Sequence, residues 1–462
     1  MAEYDLTQMA NNRLAIISAI VKNPKEFGAL LYKTISKGLF SRKLETFSPY
    51  FTTNEVSLCC IIDKTATPEE QQQWPLVCNR RENVETISTG KSGEILKVPN
   101  GMIFALKVVE ISNLGIDYRT QPPTSLKNVK AKLDILANCR YTDVTRLVYL
   151  ASDEFTNELL ISYWLDYYYN SPESFVLQGY LKYYAATICD SSNRRHGTFL
   201  TEYAEYKSIK EWSKNTAASA FALESSPRSF TIKGQPVTSI IFSREGILDI
   251  VKQVIANLLF LQEYFQFNHG DLRVENILVA NIPTRFSYNG LIQNSNVTYK
   301  ISDYSKAAMT VYLKDNFDQP LRLYNRNLRA TTALKFSQFT PIVGQQFGEY
   351  YYQVDAKLDA TAYARIRHMG VPFFSSWDTY TFILSLLSMN EAFYAVFADS
   401  QIRQILFFDL FFSEDISKIY DALFKASTSG NTLTMDQILS LLRGSKLKCD
   451  ATSTIFEKLK NL

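Results

Sequence analysis

The sequence predicts an α+β chain in which a β-rich N-terminal part is followed by a mostly helical C-terminal part. Three observations carry this. The runs EVSLCCIID (55–63), ETISTGKSGEILKV (85–98) and MIFALKVVEI (102–111) have the β-branched content of strands, broken by Gly and Pro-Asn-Gly turns. From Arg244 the period changes: Ile247, Ile250, Val251, Val254, Ile255, Leu258, Leu259 and Leu261 recur at helical spacing. Beyond about residue 370 the patterns stay mainly helical to the end.

Composition narrows the class. Of 462 residues, 46% are hydrophobic and 21% charged, which predicts a sizeable core rather than a disordered chain. The 28 Tyr and 30 Phe belong to that core. A net charge of +3 predicts no nucleic-acid partner and no membrane-surface role. The cysteines (Cys59, Cys60, Cys78, Cys139, Cys189, Cys449) form no CxxC pair, and with only His196, His269 and His368 no zinc-site spacing exists. Reduced thiols in a cytoplasm-like compartment are expected. The opening MAEYDLTQMANNRLAIISAI lacks a basic region before its apolar stretch, so no secretory signal is expected. The most apolar windows, 247–265 and 404–412, are interrupted by charge or too short to span a bilayer.

In order, 1–45 is expected as a helical extension, with Leu14, Ile17, Ile20 and Val21 on one face. The β-rich part runs over 46–204, with a polar, irregular insertion at about 111–153 around Pro122–Pro123 and a buried helix, FTNELLISYWLDYYY, at 155–169. The helical part runs over 205–462, with insertions at about 213–240 and 281–297 and a long polar segment at 303–373.

The sharpest local pattern is His269-Gly270-Asp271-Leu272-Arg273-Val274-Glu275-Asn276, between the long helix and the apolar run Ile277-Leu278-Val279. An Asp and an Asn at this spacing suit phosphoryl transfer. The Asp can accept the proton of an attacking hydroxyl, and the Asn amide oxygen can hold Mg²⁺, a hard cation that takes oxygen ligands. An ordinary polar turn at a helix end is the alternative. Downstream, Tyr299-Lys300-Ile301-Ser302 is a short strand ending in Asp303, a second carboxylate suited to Mg²⁺, although a lone Asp at a strand end is usually a turn-former. Upstream, Gly90-Lys91-Ser92-Gly93 lies between two strand patterns, where glycines let backbone N–H groups approach phosphates or simply close a hairpin. Lys107 sits inside the apolar strand Phe104-Ala105-Leu106-Lys107-Val108-Val109. A buried ammonium is costly unless paired, so it needs an anion there, or else it faces solvent from an edge strand.

In this order the motifs resemble those of the protein kinase superfamily over about 85–390. The resemblance implies a bilobal fold, with a β-rich N-lobe and a helical C-lobe, and transfer of the γ-phosphoryl group of Mg²⁺-ATP to a protein hydroxyl. Ser88-Thr89-Gly90-Lys91-Ser92-Gly93 resembles the glycine-rich loop, so Ile87, Gly90, Gly93 and Ile95 would line the nucleotide together with Ala105. Ala105-Leu106-Lys107 resembles the VAIK strand, with Lys107 on the phosphates. Asn157-Glu158-Leu159-Leu160 resembles the αC helix, with Glu158 the partner of Lys107. Phe199-Leu200-Thr201-Glu202-Tyr203-Ala204 resembles the hinge, where the Glu202 and Ala204 backbone would meet adenine. His269-Gly270-Asp271 resembles the HRD loop, making Asp271 the catalytic base and Asn276 a metal ligand, and Asp303-Tyr304-Ser305 resembles DFG, adding Asp303 to the metal. Ser375-Ser376-Trp377-Asp378-Thr379 resembles the αF helix, whose Asp anchors the catalytic loop.

Departures are specific. Gly270 stands where many kinases carry Arg, which argues against switching by a phosphorylated activation loop. Tyr304 and Ser305 replace Phe and Gly, and no clear APE motif follows. Arg273 stands where Ser/Thr kinases usually carry Lys, so the Ser/Thr preference is weak. The Tyr- and Phe-rich insertions resemble those of kinases encoded by large DNA viruses. Two alternatives remain from the sequence: a pseudokinase-type binding or scaffold protein, and a small-molecule kinase of related fold.

Overall fold

A computed structural model describes residues 85–90, 93–100, 102–110, 116–120, 147–151, 154–169, 179–191, 194–232, 235–311, 321–325, 377–412, 446–447 and 451–462. The expected extension at 1–45, the run at 55–63, Lys91, Ser92 and most of 303–373 lie outside the described residues.

The chain begins with strands β1 (Glu85–Gly90), β2 (Gly93–Asn100) and β3 (Met102–Glu110), then β4 (Ile116–Thr120) and β5 (Leu147–Ala151). Helix α1 (Glu154–Tyr169) is followed by β6 (Tyr183–Ser191) and β7 (Arg194–Glu202). Next come α2 (Ile209–Ser213), the hairpin β8 (Arg228–Ile232) and β9 (Gln235–Ser239), and the 22-residue α3 (Arg244–Phe265). Strands β10 (Ile277–Ala280), β11 (Thr284–Tyr288), β12 (Leu291–Ser295), β13 (Thr298–Ile301), β14 (Ala308–Val311) and β15 (Leu321–Asn325) follow. Helices α4 (Trp377–Leu387), α5 (Asn390–Ala398) and α6 (Ser400–Arg403), short strands β16 (Phe411–Phe412) and β17 (Lys446–Leu447), and α7 (Ala451–Leu459) complete the order. A β-sheet region followed by helices is an α+β arrangement.

Strands β1, β2, β3, β7 and β6 form one antiparallel sheet in that order. Period-two alternation along β3 buries Phe104, Leu106 and Val108 and leaves Ala105 and Lys107 half-buried on the other face. Gly93 is required by this sheet. Its φ is +148°, and a Cβ there would stand 1.7 Å from the Val108 carbonyl oxygen. Within the stretch 111–153, β4 and β5 join a second sheet of order β14-β15-β5-β4, where β15 runs parallel to β5.

Helix α3 is the axis of the rest. The Ser243 hydroxyl accepts the Gly246 N–H at 3.0 Å, and Gln266 ends the helix in a left-handed conformation at φ 46°. Its apolar spacing buries Ile247, Ile250, Val251, Val254, Ile255, Leu258 and Leu261 against α7, α5 and β13. Ser208-Ile209-Lys210-Glu211 has the spacing of a capping box, and the Ser208 hydroxyl accepts the Glu211 N–H at 3.3 Å to start α2. Trp212 of α2 packs edge-on to Tyr299, with ring centroids 5.9 Å apart, tying α2 to β13.

Gly93→Ala is expected to lower stability by more than about 1 kcal/mol, because Ala at positive φ is strained as well as crowded. Urea unfolding of the two proteins, compared at the midpoint, checks this.

Candidate active site

Lys107 is the meeting point. Its Nζ lies 2.6 Å from Glu158 Oε2 and 3.0 Å from Asp303 Oδ1. Three elements far apart in sequence therefore converge: β3, α1 and the turn after β13. Each has a local reason. Lys107 occupies the half-open face of β3, opposite Ile95 of β2 and Phe199 of β7. Glu158 is buried near the start of α1, which packs on the sheet through Phe155 and Phe199, with ring centroids 4.7 Å apart. Asp303 has φ 64° and ψ 69°, a left-handed conformation that Asp tolerates at some cost and that turns its carboxylate back toward β3.

The neighbouring residue Asn157 holds that turn from α1. Its Nδ2 donates to the carbonyls of Tyr304, Ser305 and Ala307 at 3.1, 3.1 and 2.9 Å. Glu158 and Asn157 thus grip both the side chain network and the backbone of one segment.

One ammonium faces two carboxylates, and the charges respond accordingly. Burial works against the Lys107 ammonium, but Asp303 and Glu158 outweigh it and hold its pKa above the ordinary lysine range. Burial also works against ionised Asp303, yet Lys107 holds this carboxyl well below the usual carboxylate range. Glu158 is the more deeply buried carboxylate. Burial pushes it up from 4.5 to about 7, Lys107 opposes the rise, and the nearby Asp303 adds to it. Asp303 keeps 37% of its side chain exposed.

The loop carrying Asp271 is fixed from below. Asp378 near the start of α4 is fully buried; its Oδ2 accepts the His269 N–H at 2.7 Å and its Oδ1 the Gly270 N–H at 2.9 Å. Burial pushes the Asp378 carboxyl up, and neighbouring His269 and the two backbone donors work against that rise. His269 Nε2 shares a hydrogen bond with the Ser302 carbonyl at 2.8 Å, and its ring packs on Tyr304, centroids 5.8 Å apart. Asn276 Nδ2 donates to the Asp271 carbonyl at 2.7 Å, which orients the amide and turns its oxygen to other use. Antiparallel pairing of Ile277 with Ile301 sets Asn276 and Asp303 at the same end of the β10–β13 ladder, where Ser302 donates its N–H to the Asn276 carbonyl at 2.9 Å.

The Asp271 carboxylate carries two cations. Arg273 Nε lies 2.9 Å from Oδ1 and its Nη2 3.5 Å from Oδ2, and Lys306 Nζ lies 2.5 Å from Oδ2.

Among the residues that the sequence expects to line a nucleotide, Ile87 falls at a bulge between Thr86 and Ser88, and Ser88 rather than Ile87 opposes Ile95. Gly90 pairs with Gly93 across the turn. Ala105 lies opposite Thr201 of β7. Glu202 gives its N–H to the Lys182 carbonyl at 2.9 Å, and its own carbonyl accepts the Thr201 hydroxyl at 3.2 Å. Its side chain faces away into a buried pair: Oε1 is 2.8 Å from Nζ of Lys300, which is 2% exposed, and also accepts the Lys182 N–H. Ala204 is buried just beyond β7, and its carbonyl accepts the Lys207 N–H at 3.2 Å.

Sequence reading overlooked Asn157, Lys300 and Lys306. Lys300 had a signal of the same kind as Lys107, a cation inside an apolar strand. Asn157 and Lys306 had none, since their partners are backbone carbonyls and a carboxylate about 35–150 residues away in sequence.

No family model matches the chain. A protein of Acanthamoeba polyphaga mimivirus described as "Putative serine/threonine-protein kinase R679" is 27% identical over 225 residues, covering 43% of this chain. The chain spans about a third of that protein's length (31%). This suggests a kinase-like relationship. Among the described residues no helix is long and apolar enough to cross a membrane, and no group of three or more His, Cys, Asp or Glu could by itself hold a metal ion.

Two outcomes are expected. Asp378→Ala strands two backbone donors in a dry site and lowers stability by roughly 2 kcal/mol or more, read by urea unfolding. The Glu158 carboxyl, at about 7 when folded against 4.5 ordinarily, binds a proton in the folded state that the unfolded chain releases between those values. Its ionisation therefore costs stability as pH rises through that window. Glu158→Gln removes this term, so the variant gains on wild type between about pH 5 and about pH 7.5 in paired urea titrations.

Proposed function

We propose that the chain is an ATP-dependent protein kinase of bilobal kinase-like fold, with the sheet of β1, β2, β3, β7 and β6 as N-lobe and the region from α2 onward as C-lobe. The observation that carries this reading is Lys107 bonded to both Glu158 and Asp303, beside a loop that holds Asp271 from below through Asp378. An isolated ion pair would need no such convergence. A site that must receive a triphosphate does.

The donor set fits magnesium. Asn276 and Asp303 offer an amide oxygen and a partly open carboxylate at one end of the β10–β13 ladder, hard oxygen ligands in a number that leaves room for phosphate oxygens. When bound, Mg²⁺ would neutralise phosphate charge. Lys107 would hold the α/β-phosphates, with Glu158 fixing its ammonium in the cleft. The Glu202 carbonyl and the Ala204 backbone would meet adenine, and Ile87, Gly90, Gly93, Ile95 and Ala105 would line it. Asp271 would orient the acceptor hydroxyl and take its proton as phosphorus–oxygen bond formation proceeds. The acceptor is a protein hydroxyl, with Ser/Thr favoured by the likeness to the viral protein described as a serine/threonine kinase. The reading extends to a reducing, cytoplasm-like setting and association with a virus, supported by the cysteine pattern and by that relative.

A second reading, a nucleotide-binding module without phosphotransfer, has one observation in its favour: both Asp271 oxygens are already engaged by Arg273 and Lys306.

Radiolabelled transfer from Mg²⁺-ATP to casein separates the two. Wild type is expected to label the acceptor, and Asp271→Asn to fall by at least about 100-fold. Equal background signal from both would sink the kinase reading. Mg²⁺-ATP is also expected to raise the melting temperature of wild type and of Asp271→Asn, and to do so less for Lys107→Ala, because a ligand selective for the folded state stabilises it.

A further inference from the structure

The residues assigned above leave two cations on Asp271, Arg273 and Lys306, without a role. Lys306 ends the 3-10 turn Tyr304–Lys306, directly after Asp303, with its ammonium 2.5 Å from Asp271 Oδ2. The pair is half-buried, with 21% of the Lys306 and 19% of the Asp271 side chain exposed. Its surroundings hold it in register. Gly270 has φ +77°, and a Cβ there would stand 2.6 Å from the Lys306 carbonyl oxygen, so glycine lets the turn close against the loop. Asn157 holds the same turn from the α1 side, and Asn268 and Ala308 exchange backbone hydrogen bonds of 2.8 and 2.7 Å just beyond it. The stem of Lys306 therefore starts from a fixed base, while 21% of the side chain stays exposed.

Charge accounting points the same way. Lys107 is committed to Glu158 and Asp303, and Arg273 to Oδ1 of Asp271. The Mg²⁺-triphosphate brings further negative charge, and in phosphoryl transfer that charge spreads over the oxygens of the moving group. The moving group passes to a hydroxyl hydrogen-bonded to Asp271. A cation on Asp271 Oδ2 consequently sits where phosphorus and acceptor meet. A lysine ammonium is a point charge on a flexible four-carbon stem and can change partners over a short reach.

We propose that Lys306 is a catalytic residue: its ammonium rests on Asp271 and moves to the oxygens of the transferring phosphoryl group, leaving Oδ2 with only the long 3.5 Å contact from Arg273 and open to the hydroxyl proton. This rests on the phosphotransfer reading. In the step, the acceptor oxygen–phosphorus bond forms, and the bond from phosphorus to the oxygen bridging the β-phosphate breaks. That oxygen keeps the electron pair and leaves as ADP. The hydroxyl proton goes to Asp271, and Lys306 stays protonated throughout. The same movement explains how a carboxylate engaged at both oxygens can serve as a base.

The test uses the full chain as wild type, Lys306→Met, Lys306→Arg and Asp271→Asn, with casein as acceptor. Steady-state kcat and KM for Mg²⁺-ATP are measured beside the melting temperature with and without Mg²⁺-ATP. Expected for Lys306→Met is a kcat loss on the order of 100-fold, comparable to removal of one transition-state donor. Its KM should stay within about threefold of wild type, the signature of an interaction made in the transition state. The Mg²⁺-ATP thermal shift should be retained, and Lys306→Arg should recover activity to within about tenfold of wild type. Overturning results are a kcat within about threefold of wild type, a kcat that rises (a resting lock on Asp271), or a loss that tracks a lower melting temperature. Should wild type label casein no better than Asp271→Asn, phosphotransfer itself has failed, a result read from those two proteins alone, and the role of Lys306 falls with it.

Discussion

The chain's candidate chemistry depends on one ammonium shared by two carboxylates. Lys107 holds Glu158 at 2.6 Å and Asp303 at 3.0 Å, and so ties a sheet strand, a helix and a turn that have no covalent reason to meet. Removing water from such a group is expensive, and the expense is offset only when opposite charge stands within hydrogen-bonding reach. The arrangement is also unbalanced by design of its charges, one positive against two negative. The more buried carboxylate bears that imbalance, which is why Glu158 is pushed up while Asp303, the more exposed, is held down by Lys107.

A second constraint acts below the first. Asp378 is buried and takes the backbone N–H groups of His269 and Gly270, while His269 reaches the Ser302 carbonyl and packs on Tyr304. The loop with Asp271 and the turn with Asp303 are therefore braced by the same few residues. Asn157 extends the bracing to α1 through three carbonyls. Movement of α1 would disturb Glu158 and the Asp303 turn together, so the charged network and the backbone network form one mechanical unit.

Gly270 illustrates how a departure from a familiar pattern finds a local cause. Read against kinases, it is a missing arginine. In the folded chain it is a left-handed residue pressed against the Lys306 carbonyl, where any side chain would collide. A positive charge still stands beside Asp271, arriving from the opposite segment as Lys306. The Glu202–Lys300 pair is a parallel case: a residue expected at the adenine hinge directs its carboxylate into the interior and ties the end of β7 to β13.

Periodicity and residue chemistry determined a good deal of this protein from the sequence alone. The two-residue alternation of β3 and the helical repeat of α3 were legible because burial of apolar side chains follows backbone period directly. That Lys107 needs an anionic partner was legible because a cation inside an apolar strand is costly unless paired, and in the fold Glu158 and Asp303 stand beside it. Tertiary structure alone decided the strand order β1-β2-β3-β7-β6, the bulge at Ile87, the triple grip of Asn157 and the contact of Lys306 with Asp271. These depend on which atoms meet across long stretches of chain, and a hydrogen bond to a distant carbonyl leaves no periodic trace in the residues that make it.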